Sequence, residues 1–559
     1  MKEHRLVPAR GALLAAVTAL LVPVAAPVPA GAAAPWSSSV PFSNVVVSQP
    51  VAGGGYPDDA SGAPRAGTCG PGTFDSNHSE SWLAVQPGTE TLVGTSKYFF
   101  QQYSTFYNFY VGSYGIRNGS STDSIVQGYD CTTVGTQAMP PSWTNTTDPN
   151  ADFDTGGRVY QTMLPFNAFW SNLHPNGEIT VSFSDDLGAH WVTGNGGQAL
   201  EQVPNSSSFS LHFEDKQFIA VNHFRGSPFR DHVYALWDLG NTNGNAVAVR
   251  EAVSRDRGQT FSKAQTISPA SSDQNRNAYP LPGVGPDGSV YVAYNNLGLK
   301  HQTTDDFFVV RSTDDGMSFS APVRAATTTL IGNGAGGVAL PNTTFRDGIP
   351  DAFAVSPDFP GHLYLAYNSW DGAQYDIFLV QSTDYGQTWS QPVQVNDNID
   401  LPGVPTDQFQ PAVAAGPGGA VAVGFYDRRA ACPTGDPAIL PADQGRGNFC
   451  IDVSLQSYRD GGAGAAPVGR NLRVSQFSWD PQQPGQVRGG LPQIACASHN
   501  IPCSLSFIGD YFSVAISGSN VYAFPISTHY PSGIRADDGS PVYYQQQILT
   551  TISRSALGI

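Results

Sequence analysis

The sequence is short of charged residues, and of glutamate above all. Charged side chains make up 13% of the 559 residues, and only seven are Glu while 38 are Asp. Glu suits helix interiors whereas Asp suits turns, so the composition argues against an all-α protein. Gly (60 residues) and Pro (43 residues) are abundant without a triplet period. That content excludes collagen and favours short strands joined by turns.

Positive charge is scarce as well, since 28 Lys and Arg stand against 45 Asp and Glu. The formal net charge of −17 argues against a nucleic-acid-binding protein, which needs a basic face, and no nucleic-acid partner is expected. A long apolar stretch occurs only near the N-terminus, at 11–26. The basic residues Lys2, Arg5 and Arg10 precede this stretch, and Ala30-Gly31-Ala32 after it fits a signal-peptide cleavage site. We therefore expect a signal peptide over residues 1–32, a secreted, extracellular protein and no membrane span.

Neither a C-x-x-C pair nor an H-E-x-x-H motif occurs, so zinc is not indicated. Six cysteines fit an oxidising compartment but allow 15 disulfide connectivities, of which sequence proximity favours one, with three pairs. Those three pairs are Cys69–Cys131, Cys432–Cys450 and Cys496–Cys503. We expect no cofactor and no catalytic metal, although the acidic turn with Asp148, Asp152 and Asp154 leaves a structural calcium ion open.

Four octapeptides repeat the pattern S-x-D-x-G-x-x-[WF], each after an apolar run, at 184–191, 254–261, 312–319 and 382–389. Their Asp side chains are expected to accept hydrogen bonds from backbone N–H groups of the same turn, and their Gly residues to supply a conformation that a side chain would hinder. The pattern predicts a hairpin turn in each case. The four Asp residues are Asp186, Asp256, Asp314 and Asp384.

These octapeptides resemble the Asp-box, or BNR repeat, of the sialidase-like β-propellers. The resemblance implies that each box joins the outer strands of a blade, away from the central funnel. A second repeat occurs in seven units over 76–555, as at 283–294 and 352–367. Each unit consists of a predicted strand, a turn, and a second strand that ends in an aromatic residue. We predict an all-β fold: a β-propeller with four antiparallel strands per blade, seven blades favoured and six the alternative.

The expected domain organisation is a signal peptide (1–32), an extended N-terminal lead-in (33–75) and a single propeller (76–559). The last strand, around 546–551, is expected to complete the first blade. No linker or second domain is evident, and a monomer is expected. Its expected partner is an extracellular glycan or glycoconjugate.

In the sialidase family, Arg residues hold the substrate carboxylate, a Tyr activated by a Glu attacks the sugar, and an Asp serves as acid and base. The resemblance assigns the nucleophile to Tyr511, because 511–515 look like the family's nucleophile segment. No Glu follows Glu251, so Asp510 or Asp427 would have to assist. Arg346 matches the family's F-R-I-P motif only in part. The arginines that would bind an anionic sugar are Arg346, Arg429 and Arg488.

Other chemistries stay open. A glycosidase for another sugar needs only two acids about 5–10 Å apart, and Asp215, Asp407, Asp427 and Asp510 offer them; Asp215 and Asp407 are also candidates for substrate binding. The predicted function is glycan processing by a sialidase-like exo-glycoside hydrolase. The alternatives are a polysaccharide lyase and a non-catalytic propeller that binds a glycan or a protein.

Overall fold

The structure is a computed structural model of the chain. It describes residues 40–48, 77–99, 109–125, 145–167, 176–203, 213–240, 246–269, 275–298, 303–331, 340, 343, 345–399, 403–488, 491–492, 495, 506–533 and 535–559. The expected signal peptide, most of the expected lead-in and four of the six cysteines lie outside these residues.

Seven sheets of antiparallel strands make up the described chain, and each sheet is one blade. The antiparallel sheets follow from the sequence, in which short apolar segments are separated by turns rich in Gly, Asp and Pro. Such segments pair with their nearest neighbours in the chain as hairpins. Blade 1 consists of Asn77–Val85, Leu92–Phe99, Phe109–Arg117 and Ser120–Ile125. Blade 2 consists of Asn145–Phe153, Val159–Asn167, Asn176–Ser184 and the edge strands Val192–Thr193 and Glu201–Val203. Blade 3 consists of Phe213–Val221, Val233–Gly240, Val247–Ser254 and Gln265–Thr266. Blade 4 consists of Asn277–Val284, Val290–Asn296, Thr304–Ser312 and Val323–Thr329.

The remaining blades follow the same plan. Blade 5 consists of Asp351–Val355, Leu363–Trp370, Tyr375–Ser382 and Val393–Gln394. Blade 6 consists of Gln408–Gly416, Ala420–Asp427, Asp452–Asp460 and Ala465–Arg473. Blade 7 consists of Ser513–Ile516, Asn520–Phe524, Gln546–Ser553 and Phe42–Val46, with Ile526–Ser527 also paired to Gln546–Ser553. Outside the blades, Phe345–Arg346 pairs in parallel with Ser506–Phe507, and Gln486–Arg488 pairs with Leu491–Pro492; the helical segments are Asn195–Gly197, Pro417–Gly419 and Arg554–Leu557.

The seven blades form a closed ring. The first strand of each blade contacts the first strand of the next, and the first strand of blade 7 contacts that of blade 1. The predicted all-β propeller of seven four-stranded blades is thereby confirmed. Ring closure leaves only short sheet edges exposed.

The last strand differs from our expectation. It lies in blade 7 rather than blade 1, and the N-terminal strand completes that blade through Phe42 opposite Ile552 and Val46 opposite Ile548. The strand Phe42–Val46, near the start of the described residues, is thus joined by backbone hydrogen bonds to the last strand, and the first blade supplies no strand for ring closure.

The hydrophobic core lies between neighbouring blades. Leu236 and Val249 of blade 3, for example, belong to the same buried cluster as Val290 and Phe308 of blade 4. Both faces of a blade therefore pack against apolar neighbours. This explains why the sequences of the strands are continuous apolar runs rather than strict alternations of apolar and polar residues.

The described cysteines form the predicted Cys432–Cys450 disulfide, which is confirmed. The other two predicted pairs lie outside the described residues. Within the described segments, no helix has the length and apolar character to span a membrane.

Candidate active site

The first strands of five blades are interrupted by a β-bulge near their N-terminal ends. In each bulge one non-glycine residue has a positive φ: Glu80 (53°), Asp148 (56°), Lys216 (47°), Tyr279 (58°) and Gln410 (45°). Such angles are uncommon away from glycine, and bulges redirect side chains. Because the first strands surround the axis, the bulges concentrate polar side chains at its centre.

Glycines in the segments that precede blades 5 and 7 allow close backbone contacts near the axis. A Cβ on Gly348 would lie 2.0 Å from the Asp510 Cα, and a Cβ on Gly509 would lie 2.5 Å from the Glu80 backbone nitrogen. The Ile349 N–H donates to the Asp510 carbonyl at 2.8 Å. Only glycine permits these backbone contacts, which bring Asp510 beside the segment that carries Arg346.

Ion pairs join these side chains into one cluster. Lys97 Nζ lies 2.7 Å from Glu80 Oε2, and Lys216 Nζ lies 2.5 Å from Asp510 Oδ2, 3.4 Å from Asp148 Oδ2 and 3.8 Å from Glu80 Oε1. Arg346 pairs with Asp510, and Asp215 interacts electrostatically with Lys216, Asp148 and Asp510. We call the following seven residues the axial cluster: Glu80, Lys97, Asp148, Asp215, Lys216, Arg346 and Asp510.

Arg346 grips Asp510 with two N–H groups, Nε to Oδ1 at 3.0 Å and Nη2 to Oδ2. Its guanidinium also lies 4.6 Å from the centre of the buried Phe507 ring. Its side chain is nevertheless 19% exposed, in contrast to Glu80 (0%) and Asp148 (4%). Asp215 is also partly exposed. Arg346 and Asp215 therefore form the solvent-accessible end of the cluster.

The cations hold two of the carboxylates in the ionised state. Burial works against ionisation of Asp148, but Lys216 and Lys97 outweigh it and lower the pKa of Asp148. Burial is likewise outweighed at Asp510, where Arg346 and Lys216 lower the pKa to about 2. Both groups are therefore anions at neutral pH.

The other two carboxyls behave differently. Burial raises the pKa of Asp215 to about 7, with Asp148 adding to the effect and Lys216 opposing it. Burial and then Asp148 raise the pKa of Glu80 to about 8 against the pull of Lys97 and Lys216. The cluster thus holds carboxylic acid protons near neutral pH, and Asp215 is the partly exposed group that carries one.

Tyr279 lies at the same end of the cluster and is partly exposed. Its backbone N–H donates to Asp238 Oδ2 at 3.2 Å. Burial, followed by Asp215, raises the pKa of Asp238 far above its usual range. A bulky residue at positive φ is an outlier of the kind that concentrates at functional sites.

Tyr511 lies close to the cluster, and burial, together with Glu80 and Asp148, raises the pKa of its hydroxyl. The hydroxyl donates to the Pro149 carbonyl at 2.8 Å. The ring packs against Phe218 (5.4 Å) and Trp82 (6.0 Å). In this arrangement the phenol keeps its proton and directs it at a backbone carbonyl rather than at a carboxylate. The nucleophile role of Tyr511 stays a prediction.

The remaining predicted residues of blade 6 lie in another network. Asp427 accepts hydrogen bonds from Arg429 Nε at 2.8 Å and Ser454 Oγ at 2.8 Å, and Arg429 also pairs with Asp397 at 2.9 Å. Asp407 accepts from Asn448 Nδ2 at 2.7 Å. These contacts tie loops to blade 6. The roles of Asp427, Arg429 and Asp407 stay predictions, and the side chain of Arg488 lies outside the described part of the chain.

The four octapeptides form one shared turn. In the third copy, Asp314 Oδ1 accepts from the Ser318 N–H at 2.9 Å and from Ser312 Oγ at 2.8 Å, while Ser312 Oγ accepts from the Gly316 N–H at 2.9 Å. Asp186, Asp256 and Asp384 accept the same bonds in the other copies. Each turn joins the third strand of its blade to the outer edge.

Strand direction separates these turns from the axial cluster. The cluster lies at the N-terminal ends of the first strands. Since successive strands alternate in direction, the loops after the second strands lie on that face, which we call the mouth face. The octapeptide turns follow the third strands and so lie on the opposite face.

The acidic turn considered for calcium is filled by protein groups. Asp152 accepts from the Val221 N–H at 2.8 Å, and Asp154 accepts from the Gly156 N–H at 2.8 Å and from Arg257 Nε at 2.7 Å. In the parts of the chain that the structure describes, no three His, Cys, Asp or Glu side chains are arranged to hold a metal ion.

Sequence reasoning identified Asp215, Arg346 and Asp510 but missed Glu80, Lys97 and Tyr279 as members or neighbours of the cluster. One signal was available for Lys97. The chain has only five lysines, at 2, 97, 216, 263 and 300, and two of them lie at the axis.

Comparison with known proteins adds little. No protein-family model matches the chain, and no curated protein matches it in sequence. Solved structures that are similar include polysaccharide lyase Uly1 (8% identity, 91% of this chain and 99% of that chain, TM-score 0.44) and the sialidase of Trypanosoma rangeli in complex with the inhibitor DANA (11% identity, 92% and 60%, TM-score 0.39). The alpha-L-arabinofuranosidase Arb93A from Fusarium graminearum is similar at 12% identity (74% and 94%, TM-score 0.36). Similarity at these values carries no inference about activity.

Proposed function

We propose that this protein is a secreted glycan-processing enzyme, an exo-acting glycoside hydrolase that removes an anionic sugar at the mouth face. One observation carries the proposal. A partly exposed carboxylic acid, Asp215, whose pKa is about 7, shares a cluster with the partly exposed guanidinium of Arg346. Glycoside hydrolysis requires such an acid, protonated at working pH, to release the leaving group.

Asp215 is assigned the role of general acid. Its proton passes to the glycosidic oxygen as the bond to the anomeric carbon breaks. Burial and the negative charge of Asp148 keep the proton on Asp215 at a pH at which an ordinary aspartate would have lost it. Lys216 lowers the pKa of Asp215, so it holds the group near neutrality rather than far above it.

Arg346 is assigned to substrate recognition. Asp510 fixes the guanidinium through Nε and Nη2, which leaves Nη1 as the group for a ligand. The N–H groups on Nη1 can form charge-assisted hydrogen bonds with a carboxylate. The chain as a whole carries a net charge of −17, which repels anions. Three cations, Lys97, Lys216 and Arg346, lie together at the axis and make the axis less repulsive to an anionic substrate than the outer surface is. The octapeptide turns, which resemble Asp-boxes, are consistent with a sialidase-like protein.

The test is hydrolysis of a panel of aryl glycosides by purified protein spanning 33–559. We expect turnover of an acidic glycoside, such as the sialoside or glucuronide, and loss of about 10²–10⁴ in kcat for Asp215→Asn. Asp371→Asn, the same change at an exposed turn, is the matched control. Loss of turnover in Tyr511→Phe would assign the nucleophile to Tyr511, and retained turnover would assign it to water. No turnover of any glycoside, or full activity in Asp215→Asn, would contradict the proposal.

A further inference from the structure

Blade 6 has an insertion between its second and third strands, residues 428–451, and the Cys432–Cys450 disulfide joins the two ends of this insertion. We call this insertion the blade 6 loop. Because it follows a second strand, it lies on the mouth face, as the axial cluster does. Cys432, Phe449 and Cys450 are buried at its base, while Thr434 and Gly435 are exposed.

The base of the loop packs against the segment that carries Arg346. Arg428 is completely buried, with its guanidinium carbon 5.9 Å from the centre of the Phe345 ring and 5.9 Å from that of Phe449. On the other side, the Arg446 guanidinium lies 3.5 Å from the centre of Phe449. Arg446, Phe449, Arg428 and Phe345 therefore form one stack that ends at the residue before Arg346.

A second set of contacts links the loop to the start of blade 6. Asn448 donates to Asp407 Oδ2 at 2.7 Å and accepts from the Asp407 N–H at 2.8 Å. Arg428 pairs with the same carboxylate at 3.5 Å, and its N–H donates to the Asp407 carbonyl at 3.1 Å. The loop is thus held in register with the inner strand of the blade.

The Arg428–Asp407 pair is a weak source of stability. Burial lowers the pKa of Arg428 to about 10 and raises the pKa of Asp407, so each partner loses solvation that the other only partly replaces. Such buried pairs often add no more stability than apolar residues of the same volume. What Arg428 contributes is its contact with Phe345, whose ring centre lies 5.9 Å from the guanidinium carbon.

We propose that the blade 6 loop is a positioning element: through Arg428 and Phe449 it holds Phe345, and with it the guanidinium of Arg346, in place to bind the anionic group of the ligand. Arg428 and Phe449 are positioning residues, since they act through Phe345. The predicted effect of the loop on ligand affinity rests on the proposed function. The predicted effect on the structural order of residues 345–349 does not depend on it.

The test compares wild-type protein with Cys432→Ser/Cys450→Ser and Phe449→Leu, the second variant keeping the disulfide in case the first folds poorly. Thr434→Ala, an exposed change in the same loop, is the control. Hydrogen exchange is followed in a peptide covering 345–349 and in a reference peptide covering 77–85 on blade 1. Affinity is measured by titration calorimetry with N-acetylneuraminic acid and with glucuronic acid, and kcat and KM are measured on any glycoside that is hydrolysed.

We expect faster exchange at 345–349 with no change at 77–85, and a Kd and KM raised about three- to tenfold, in the lower part of the range that coupling between contacting residues gives. The kcat should stay within about twofold, since positioning acts on binding. Unchanged exchange at 345–349, or faster exchange with unchanged Kd, would overturn the inference. If wild type neither binds the acids nor hydrolyses any glycoside, the proposed function fails, and the exchange data alone decide whether the loop orders this segment.

Discussion

The axial cluster makes a quantitative prediction for Lys216→Met. The lysine side chain is 8% exposed and lies within ion-pair distance of three carboxyl groups: those of Asp510 and Asp148, which are ionised at neutral pH, and that of Glu80, whose pKa is about 8. Methionine fills a similar volume without the charge. The substitution therefore leaves the carboxylates buried with one cation fewer, while Arg346 and Lys97 keep part of the compensation.

Removal of one partner from a buried ion pair costs about 3–5 kcal/mol, because the remaining charge is left without compensation. Arg346 still pairs with Asp510 by two N–H groups, so we expect a loss at the lower end, about 3 kcal/mol. The effect depends on pH with a defined sign. A carboxylate whose pKa is lowered in the folded state stabilises it above the pKa of the unfolded chain, and this contribution fades as the pH falls towards the folded value, about 2 for Asp510. The deficit of the variant should accordingly shrink from pH 7 towards low pH.

The assay is equilibrium unfolding in urea at pH 7 and at low pH, close to the folded-state pKa of Asp510, about 2, where most of this contribution is lost. Lys263→Met is the matched control, since Lys263 is exposed. A deficit no larger than that of Lys263→Met would refute the account of the cluster. A large deficit that is the same at both pH values would show that lost packing, and not lost charge compensation, is the cause.

Three further outcomes are expected. Gly348→Ala should destabilise the protein by about 3 kcal/mol or more, because its Cβ would lie 2.0 Å from the Asp510 Cα, whereas Gly226→Ala has open space and should be nearly neutral in urea unfolding. Asp314→Ala should cost about 1–2 kcal/mol for the lost turn bonds and leave KM unchanged, since its turn lies on the face away from the mouth. Burial raises the pKa of Glu214 to about 8, so its contribution to stability is complete below the unfolded pKa near 4 and is lost as the pH rises through 8. Thermal unfolding from pH 5 to 9 should show that stability falls less with rising pH in Glu214→Gln than in wild type. An equal fall in both proteins would show that Glu214 is not the cause of the loss.

Local patterns were enough to predict most of the fold. An octapeptide such as 312–319 encodes its own turn, because Ser312 and Asp314 hydrogen-bond within it. The alternation of strand and turn predicted seven blades for the same reason, as hairpin pairing is local. Ring closure is not local: Phe42–Val46 pairs with the last strand of the chain, and nothing in the sequence of either strand specifies that partner.

The candidate site was only partly predictable. Polar residues at the starts of inner strands, such as Asp215 and Asp510, were found because turn and strand patterns mark those positions. Glu80 and Tyr279 were missed because a β-bulge adds a residue and so reverses which side chains face the axis. Lys97 comes from the second strand of blade 1, where it lies opposite Ser79, and its place beside Glu80 follows from the pairing and the bulge of that blade rather than from any sequence pattern.

The pH dependence of kcat/KM for an acidic aryl glycoside, in wild type and in Asp215→Asn, tests the central claim most directly. The pKa of Asp215, about 7, predicts activity that is full on the acidic side and falls as the pH rises through about 7, with that limb absent from the residual activity of Asp215→Asn. Activity that is independent of pH between about 5 and 9, or a limb that persists in the variant, would contradict the assignment of Asp215 as the general acid.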